Sequence, residues 1–266
     1  MVKRIVVGLL LLGSIFFLLY IGNPWLIIAI AIVGFGGVYE MARALKQAGK
    51  PVWATGGFFF IALSIGGIAL LPLSPNAIIL FSLLLVWLAQ LSLLVLRRQM
   101  DITVLAYSAL LLLYPCLPLV LLGPLAMLGK LGKQLILLAI FIAGGTDTLA
   151  YFTGLLLGRK KLIPEISPKK TVAGAYGGLL GGVIGAYLHW LLLGLSGQFS
   201  PWTPLILGLF GAAVAQMGDL AASLVKRALD IKDYGNLFPG HGGILDRIDS
   251  VLFILPLIYG CTAFLG

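Results

Sequence analysis

The sequence predicts an all-α, polytopic integral membrane protein with about nine transmembrane helices and a cytoplasmic N-terminus. Three observations predict it. The 266 residues are 61% hydrophobic and only 10% charged, where a soluble domain carries about 25% charged residues. Mean hydropathy is +1.11. Apolar stretches of roughly 20 residues recur along the chain, each long enough for a hydrocarbon core of about 30 Å. The alternating segments of about ten residues that mark a transmembrane β-barrel are absent.

The spans read, in order, 5–21, 25–44, 53–72, 77–96, 102–123, 134–157, 172–195, 203–226 and 245–265. The first, "MVKRIVVGLLLLGSIFFLLY", resembles a signal peptide but has no small-residue cleavage site, and more spans follow. It is read as a retained helix. Proline and glycine punctuate the junctions at "IGNP", "LPLSPN" and "SGQFSP". Pro115, Pro118 and Pro124 mark 113–133 as the stretch where a helix breaks or re-enters. "GAYGGLLGGVIG" sets Gly174, Gly178 and Gly182 on one stripe and Gly177, Gly181 and Gly185 on the next. Such stripes let helices approach closely, within the protomer or across a homodimer seam. Cys116 and Cys261 lie in apolar runs and read as small buried hydrophobes. His189, near an external end, reads as interfacial packing beside Trp190.

The basic residues orient these spans. Sixteen of the 18 lysines and arginines fall on alternate ends, and only Lys130 and Lys133 fall on the other side. The positive-inside rule makes the rich side cytoplasmic. The two longest polar loops, 158–171 and 227–244, are then cytoplasmic, and polar chemistry opens to that side. Residues 1–130 read as a transmembrane scaffold and 131–266 as a catalytic region.

Acids are few, so their positions are informative. Glu40 is the one intramembrane acid of the first half. Asp147 lies mid-span, Asp219 lies in the eighth span, and Asp246 and Asp249 open the ninth. On helices, Asp219, Ser223, Lys226 and Arg227 form one stripe, and Asp246 and Asp249 share a face. A carboxylate inside a bilayer costs a few kcal/mol and faces a partner or a polar cavity. Two readings follow. Lysine and arginine ion pairs hide the charge, or the acids form an oxygen-ligand site for Mg²⁺. The residue types do not favour zinc.

The loops add anion chemistry. "PGHGG", Pro239 to Gly243, stands before a helix. Its glycines and the helix N-terminus suit a phosphate. His241 is a candidate phosphate contact, against the plainer reading of a loop histidine bonded to backbone. "SPKKT", Ser167 to Thr171, carries Lys169 and Lys170 at the start of a span. They read as positive-inside anchors, or as ligands for a triphosphate or an anionic lipid head group.

"SLVKRALDIKDYGNLFPGHGGILDRIDS", Ser223 to Ser250, closely resembles the signature of the phosphatidate cytidylyltransferases, or CDP-diacylglycerol synthases. Ser223, Lys226, Arg227, Lys232, Asp233, Gly235, Pro239, His241, Gly242, Gly243, Asp246, Arg247 and Asp249 sit where that signature asks. "DTLAYFTG" and "ISPKKT" stand upstream in the expected order. The resemblance is firm over roughly residues 140 to 266. Two features depart from it. Val172-Ala173-Gly174 replaces the frequent Trp-Glu-Gly, and "AGGTDT" has no tryptophan before it. No contact is carried over to those positions.

The resemblance implies transfer of CMP from CTP (or dCTP) to phosphatidic acid, giving CDP-diacylglycerol and pyrophosphate. It implies Mg²⁺, with a second metal ion as a further option, held by Asp219, Asp246 and Asp249. Lys226, Arg227, Arg247 and His241 would neutralise phosphates. Ser167, Lys169, Lys170, Ser223, Gly242 and Gly243 would contact substrate, and Asp147 would complete the metal site or read the nucleotide. The expected setting is the inner (plasma) membrane, among membrane lipids, with the site facing the cytoplasm and no nucleic-acid partner. A CTP-dependent lipid-alcohol kinase (polyprenol or phytol) and a cation-coupled transporter are the alternatives.

Overall fold

A computed structural model describes residues 2–98, 101–193, 200–238, 240 and 242–264. Most of the described residues are helical, apart from one short hairpin, the irregular segment between α10 and α11, and the turns. Helices occur at each expected apolar stretch: α1 (Val2–Ile21), α2 (Trp25–Gln47), α3 (Ala54–Leu70), α4 (Pro75–Leu96), α5 (Thr103–Leu111), α6 (Leu117–Val120), α7 (Leu122–Met127), α8 (Gly129–Leu157), α9 (Val172–Leu192), α10 (Trp202–Ala228) and α11 (Leu245–Cys261). Among the described residues six spans are long and apolar enough to cross a membrane. They are α2, α4, the composite Thr103–Met127, α8, α9 and α10. This is an all-α polytopic membrane protein.

The proline-rich stretch stays helical but is divided into short segments. A π-helical turn, Leu112–Cys116, joins α5 to α6 and contains Pro115. Proline has no N–H to give to the preceding turn and crowds its carbonyl. A π turn absorbs that mismatch. Pro118 follows in the first turn of α6.

By packing, the chain divides into two units. One is Met1–Gly129 with Leu229–Arg247; the other is Lys130–Ala228 with Ile248–Gly266. The glycine-rich segment before α11 therefore belongs to the same unit as the N-terminal helices. In the first unit, α2 carries the core, with Val38, Met41 and Leu45 fully buried. Gly57 of α3 lies against Val38 and Leu111, and Gly67 against Ile78 of α4.

In the second unit, both glycine stripes of α9 are used internally. A side chain at Gly181 or Gly185 would strike the backbone of α8 at Gly145 or Phe141. One at Gly182 would meet Ala212 and the Gly208 carbonyl of α10. The close approach that these stripes permit is thus filled within the protomer. His189 follows Gly185 by one turn and shares that buried face. It is fully buried and lies edge-on to Phe141, ring centroids 5.5 Å apart. This corrects the expected interfacial position beside Trp190, whose ring meets Tyr187 instead.

The lysine-bearing loop 158–171 is also more ordered than a linker. β1 (Lys161–Ile163) and β2 (Ser167–Thr171) pair antiparallel, with Lys161 opposite Thr171 and Ile163 opposite Ser167. Pro164 opens the turn between them, a position its fixed φ suits. Thr171 then caps α9, its hydroxyl accepting from the Gly174 N–H at 3.1 Å.

Candidate active site

In the first unit, the site-bearing segment is anchored by an acid from far upstream. Glu40 on α2 is 5% exposed. Its two carboxylate oxygens accept from the N–H groups of Ile244 (2.8 Å) and Leu245 (2.9 Å). These are the orphan donors at the start of α11, where the helix dipole favours negative charge. The anion at this helix N-terminus is therefore the protein's own carboxylate. Gly235 and Gly243 pack directly on it, and a Cβ at Gly243 would fall on the carboxylate.

Asp246 holds the same segment from the other side. Its Oδ2 accepts from the N–H groups of Tyr234 (2.8 Å) and Gly243 (2.9 Å). Phe238 donates to the Gly242 carbonyl at 2.9 Å, closing a narrow loop. Gly242 has φ +81°, and a Cβ there would also meet Asp246. Three backbone donors of the expected phosphate cradle are thus engaged by Glu40 and Asp246. Arg247 is exposed in the first turn of α11. His241 and Pro239 lie outside the described residues.

The second unit gathers the other acids with lysines. Lys170 of β2 forms an ion pair with Asp219 of α10. Lys226 Nζ lies 3.8 Å from Asp249 of α11, both side chains little exposed. Asp219, Lys226 and Asp147 all act electrostatically on Asp249. Two ion pairs from β2, α10 and α11 therefore lie within electrostatic reach of one another, with Asp147 of α8 adding its charge. Asp246 and Asp249, expected to share one face, have different partners. The first bonds its own loop, and the second pairs with Lys226.

The remaining candidates surround these pairs along the chain. Ser223 follows Asp219 by one turn and is half-buried. Arg227 is exposed in the last turn of α10. Lys169 is exposed on β2 beside Lys170, and Ser167 opens that strand.

Among the described residues no group of three or more His, Cys, Asp or Glu side chains is placed to hold a metal ion. The donor chemistry of Asp219 and Asp249 nonetheless suits Mg²⁺, which takes one or two carboxylates plus substrate phosphates. In the described arrangement Lys170 and Lys226 balance these two acids. Asp246 is committed to backbone donors through Oδ2.

Glu40 is the residue that sequence reasoning passed over. It was legible as a buried acid in an apolar helix, but its partners lie 204 and 205 residues away. Only folding reveals which amides it serves.

Comparison with known proteins agrees with the sequence signature. A stretch of 133 residues is 45% identical to the phosphatidate cytidylyltransferase of Bacillus subtilis, covering 50% of this chain and 48% of that protein. The enzyme of the same name from Staphylococcus aureus strain COL is 45% identical over 137 residues, 48% of each chain. That from Staphylococcus epidermidis strain RP62A is 42% identical over 127 residues, again 48% of each. The aligned region spans about half the length of these relatives. The model of the cytidylyltransferase family matches residues 2–265. Matched over nearly its whole length, the chain belongs to the cytidylyltransferase family.

Proposed function

We propose that the protein transfers the cytidylyl group of CTP to phosphatidic acid, releasing pyrophosphate and forming CDP-diacylglycerol. The observation that carries this reading is the charged cluster of Lys170, Asp219, Lys226, Asp249 and Asp147 in a membrane-embedded member of a cytidylyltransferase family. Relatives bearing the name phosphatidate cytidylyltransferase supply the substrate class.

The chemistry asks little of a protein base. A phosphate oxygen of the lipid, already anionic near neutral pH, bonds to the α-phosphorus of CTP. The bond from that phosphorus to the bridging oxygen breaks, and pyrophosphate leaves. Positioning and charge neutralisation carry the rate, as in phosphoryl transfer generally. Lys170 and Lys226 exchange their carboxylate partners for substrate phosphates, and Arg227 and Lys169 add positive charge. Asp219 and Asp249 are the residues that would hold Mg²⁺, with Asp147 nearby. The ion would supply charge stabilisation at the reacting phosphates. Asp246 and Glu40 act as positioning residues for the glycine loop and the start of α11.

The cytoplasmic face of the cell's inner (plasma) membrane is the proposed setting, where soluble CTP meets a lipid acceptor. The basic ends of the spans support that orientation. The test uses purified protein with phosphatidic acid, Mg²⁺ and labelled CTP. Pyrophosphate and a CDP-lipid are expected. CDP and a phosphorylated lipid alcohol would instead indicate the kinase. Asp249→Asn is expected to lower turnover at least ~100-fold, the scale seen on losing one electrostatic contributor. Near wild-type turnover by that variant, with the fold intact, would refute the assignment of Asp249.

A further inference from the structure

A cavity of about 480 Å³ lies wholly within the first unit, between α3 and α4. That volume is in the range of sites for small ligands. One end is basic, with Lys46 from the end of α2 and Arg97 just after α4. The Arg97 guanidinium lies 5.7 Å from the centre of the Trp53 ring and is held at that rim. Below the rim the walls are apolar, running from Phe59 to Leu63 on α3 and from Leu93 down to Val86 and Leu85 on α4. From Ala54 to Leu63 the helix rises about 13 Å.

One wall residue breaks this pattern. Gln90 lines the cavity and is 3% exposed. Neither its amide nitrogen nor its amide oxygen has a hydrogen-bond partner. Its amide lies where a side chain at position 56 would stand, so Gly56 makes room for it. A buried amide without partners carries a desolvation penalty, and hydrocarbon offers no water to relieve it. The position calls for a ligand with a polar group part-way down an otherwise apolar body.

A cation pair above, a lone amide below and an apolar groove beneath match one class of molecule. We propose that this cavity is a second, non-catalytic site for an anionic phospholipid. The head-group phosphate sits on Lys46 and Arg97. An ester carbonyl accepts from the Gln90 amide, and an acyl chain follows the groove of Phe59, Leu63 and Leu85. The site shares no residue with the charged cluster of the second unit and stands apart from the reading of that cluster.

The experiment uses the full-length protein in detergent, without CTP, and counts retained lipids by native mass spectrometry. Phosphatidylglycerol is the probe, because it lacks the phosphate monoester that accepts a cytidylyl group. Wild type retains it in preference to phosphatidylcholine, and inorganic phosphate does not displace it. Lys46→Gln with Arg97→Gln weakens its binding about tenfold or more, the scale of lost charge-assisted hydrogen bonds. Gln90→Leu gives a split result: about fivefold weaker binding, from one lost hydrogen bond, with a raised melting temperature of the lipid-free protein. A purely structural glutamine would lower that temperature. Equal retention by wild type and the double variant overturns the proposal. So does equal retention of phosphatidylcholine, which marks a bulk lipid contact, or displacement by inorganic phosphate, which marks a simple anion site. None of these outcomes bears on cytidylyl transfer.

Discussion

Glu40 accepts a hydrogen bond from the Leu245 N–H at 2.9 Å, and its second oxygen takes the N–H of Ile244. A carboxylate on α2 thus caps a helix that begins 205 residues later. Glu40→Ala leaves two helix-terminal donors without this acceptor, and it should cost about 3 kcal/mol, since hydrogen bonds to charged groups contribute roughly 1.5–3 kcal/mol each. Glu40→Gln keeps one acceptor and should cost about half as much. Thermal unfolding in detergent measures both. Equal stability of the three proteins would refute the capping role.

Gly243 is constrained by the same carboxylate. A Cβ there would fall on Glu40, whereas one at Gly144 in α8 would meet nothing within 4 Å. Gly243→Ala is expected to destabilise by about 1–3 kcal/mol, as overpacking does. Gly144→Ala is expected to be neutral, or stabilising by up to about 1 kcal/mol, through helix propensity. The two melting temperatures should move apart, and a shared shift would sink the steric argument.

Lys226 and Asp249 form a pair with both side chains little exposed. Removing one partner leaves an uncompensated charge, and Lys226→Met should destabilise by ~3 kcal/mol. Lys226→Met with Asp249→Asn should recover most of that loss, because neither charge then remains buried. A double-mutant cycle reads the coupling directly. Additive effects would show that the pair does not couple. Both single variants should also lower cytidylyl transfer, so stability and turnover separate structure from chemistry.

Asp101 gives a pH-dependent contribution outside the membrane helices. Its Oδ1 accepts from the Thr103 hydroxyl (2.6 Å) and the Thr103 N–H (2.9 Å). These bonds hold its carboxyl below the usual carboxylate range, the hydroxyl having the larger effect. A lowered folded-state value means stability that is present above the ordinary carboxylate range. It is lost as pH falls through that lowered value. The stability difference between wild type and Asp101→Ala should therefore shrink on acidification. A difference that grew at low pH would reverse the assigned sign.

The site was legible in the sequence by residue type, and only partly by geometry. Asp246 and Asp249 stand three apart on one helix, so one shared face was the natural expectation. In the fold, Asp246 turns to Tyr234 and Gly243 while Asp249 turns to Lys226. Helical spacing fixes where a side chain leaves the helix, not which neighbour meets it. Lys170 read as one of two lysines that either anchor the span or meet a substrate anion. The β hairpin makes it the partner of Asp219 and leaves Lys169 exposed. Alternation along a strand separates adjacent lysines, and that separation stays hidden while the segment reads as a loop.

Hydropathy and composition suffice to establish that the chain is a helical membrane protein, near which residues its helices run, and which residues carry its charge. They do so because hydropathy and proline act locally, within one helix or turn. The Ser223–Ser250 signature likewise needed no fold to be read. Tertiary structure decided the pairings: Glu40 with Leu245, Lys170 with Asp219, and the glycine stripes of α9 with α8 and α10. It also decided that Gln90 is buried without a partner. Those facts depend on which helices become neighbours. Neighbours are chosen by packing across the whole chain, where residues two hundred positions apart must satisfy one another's backbone and charge.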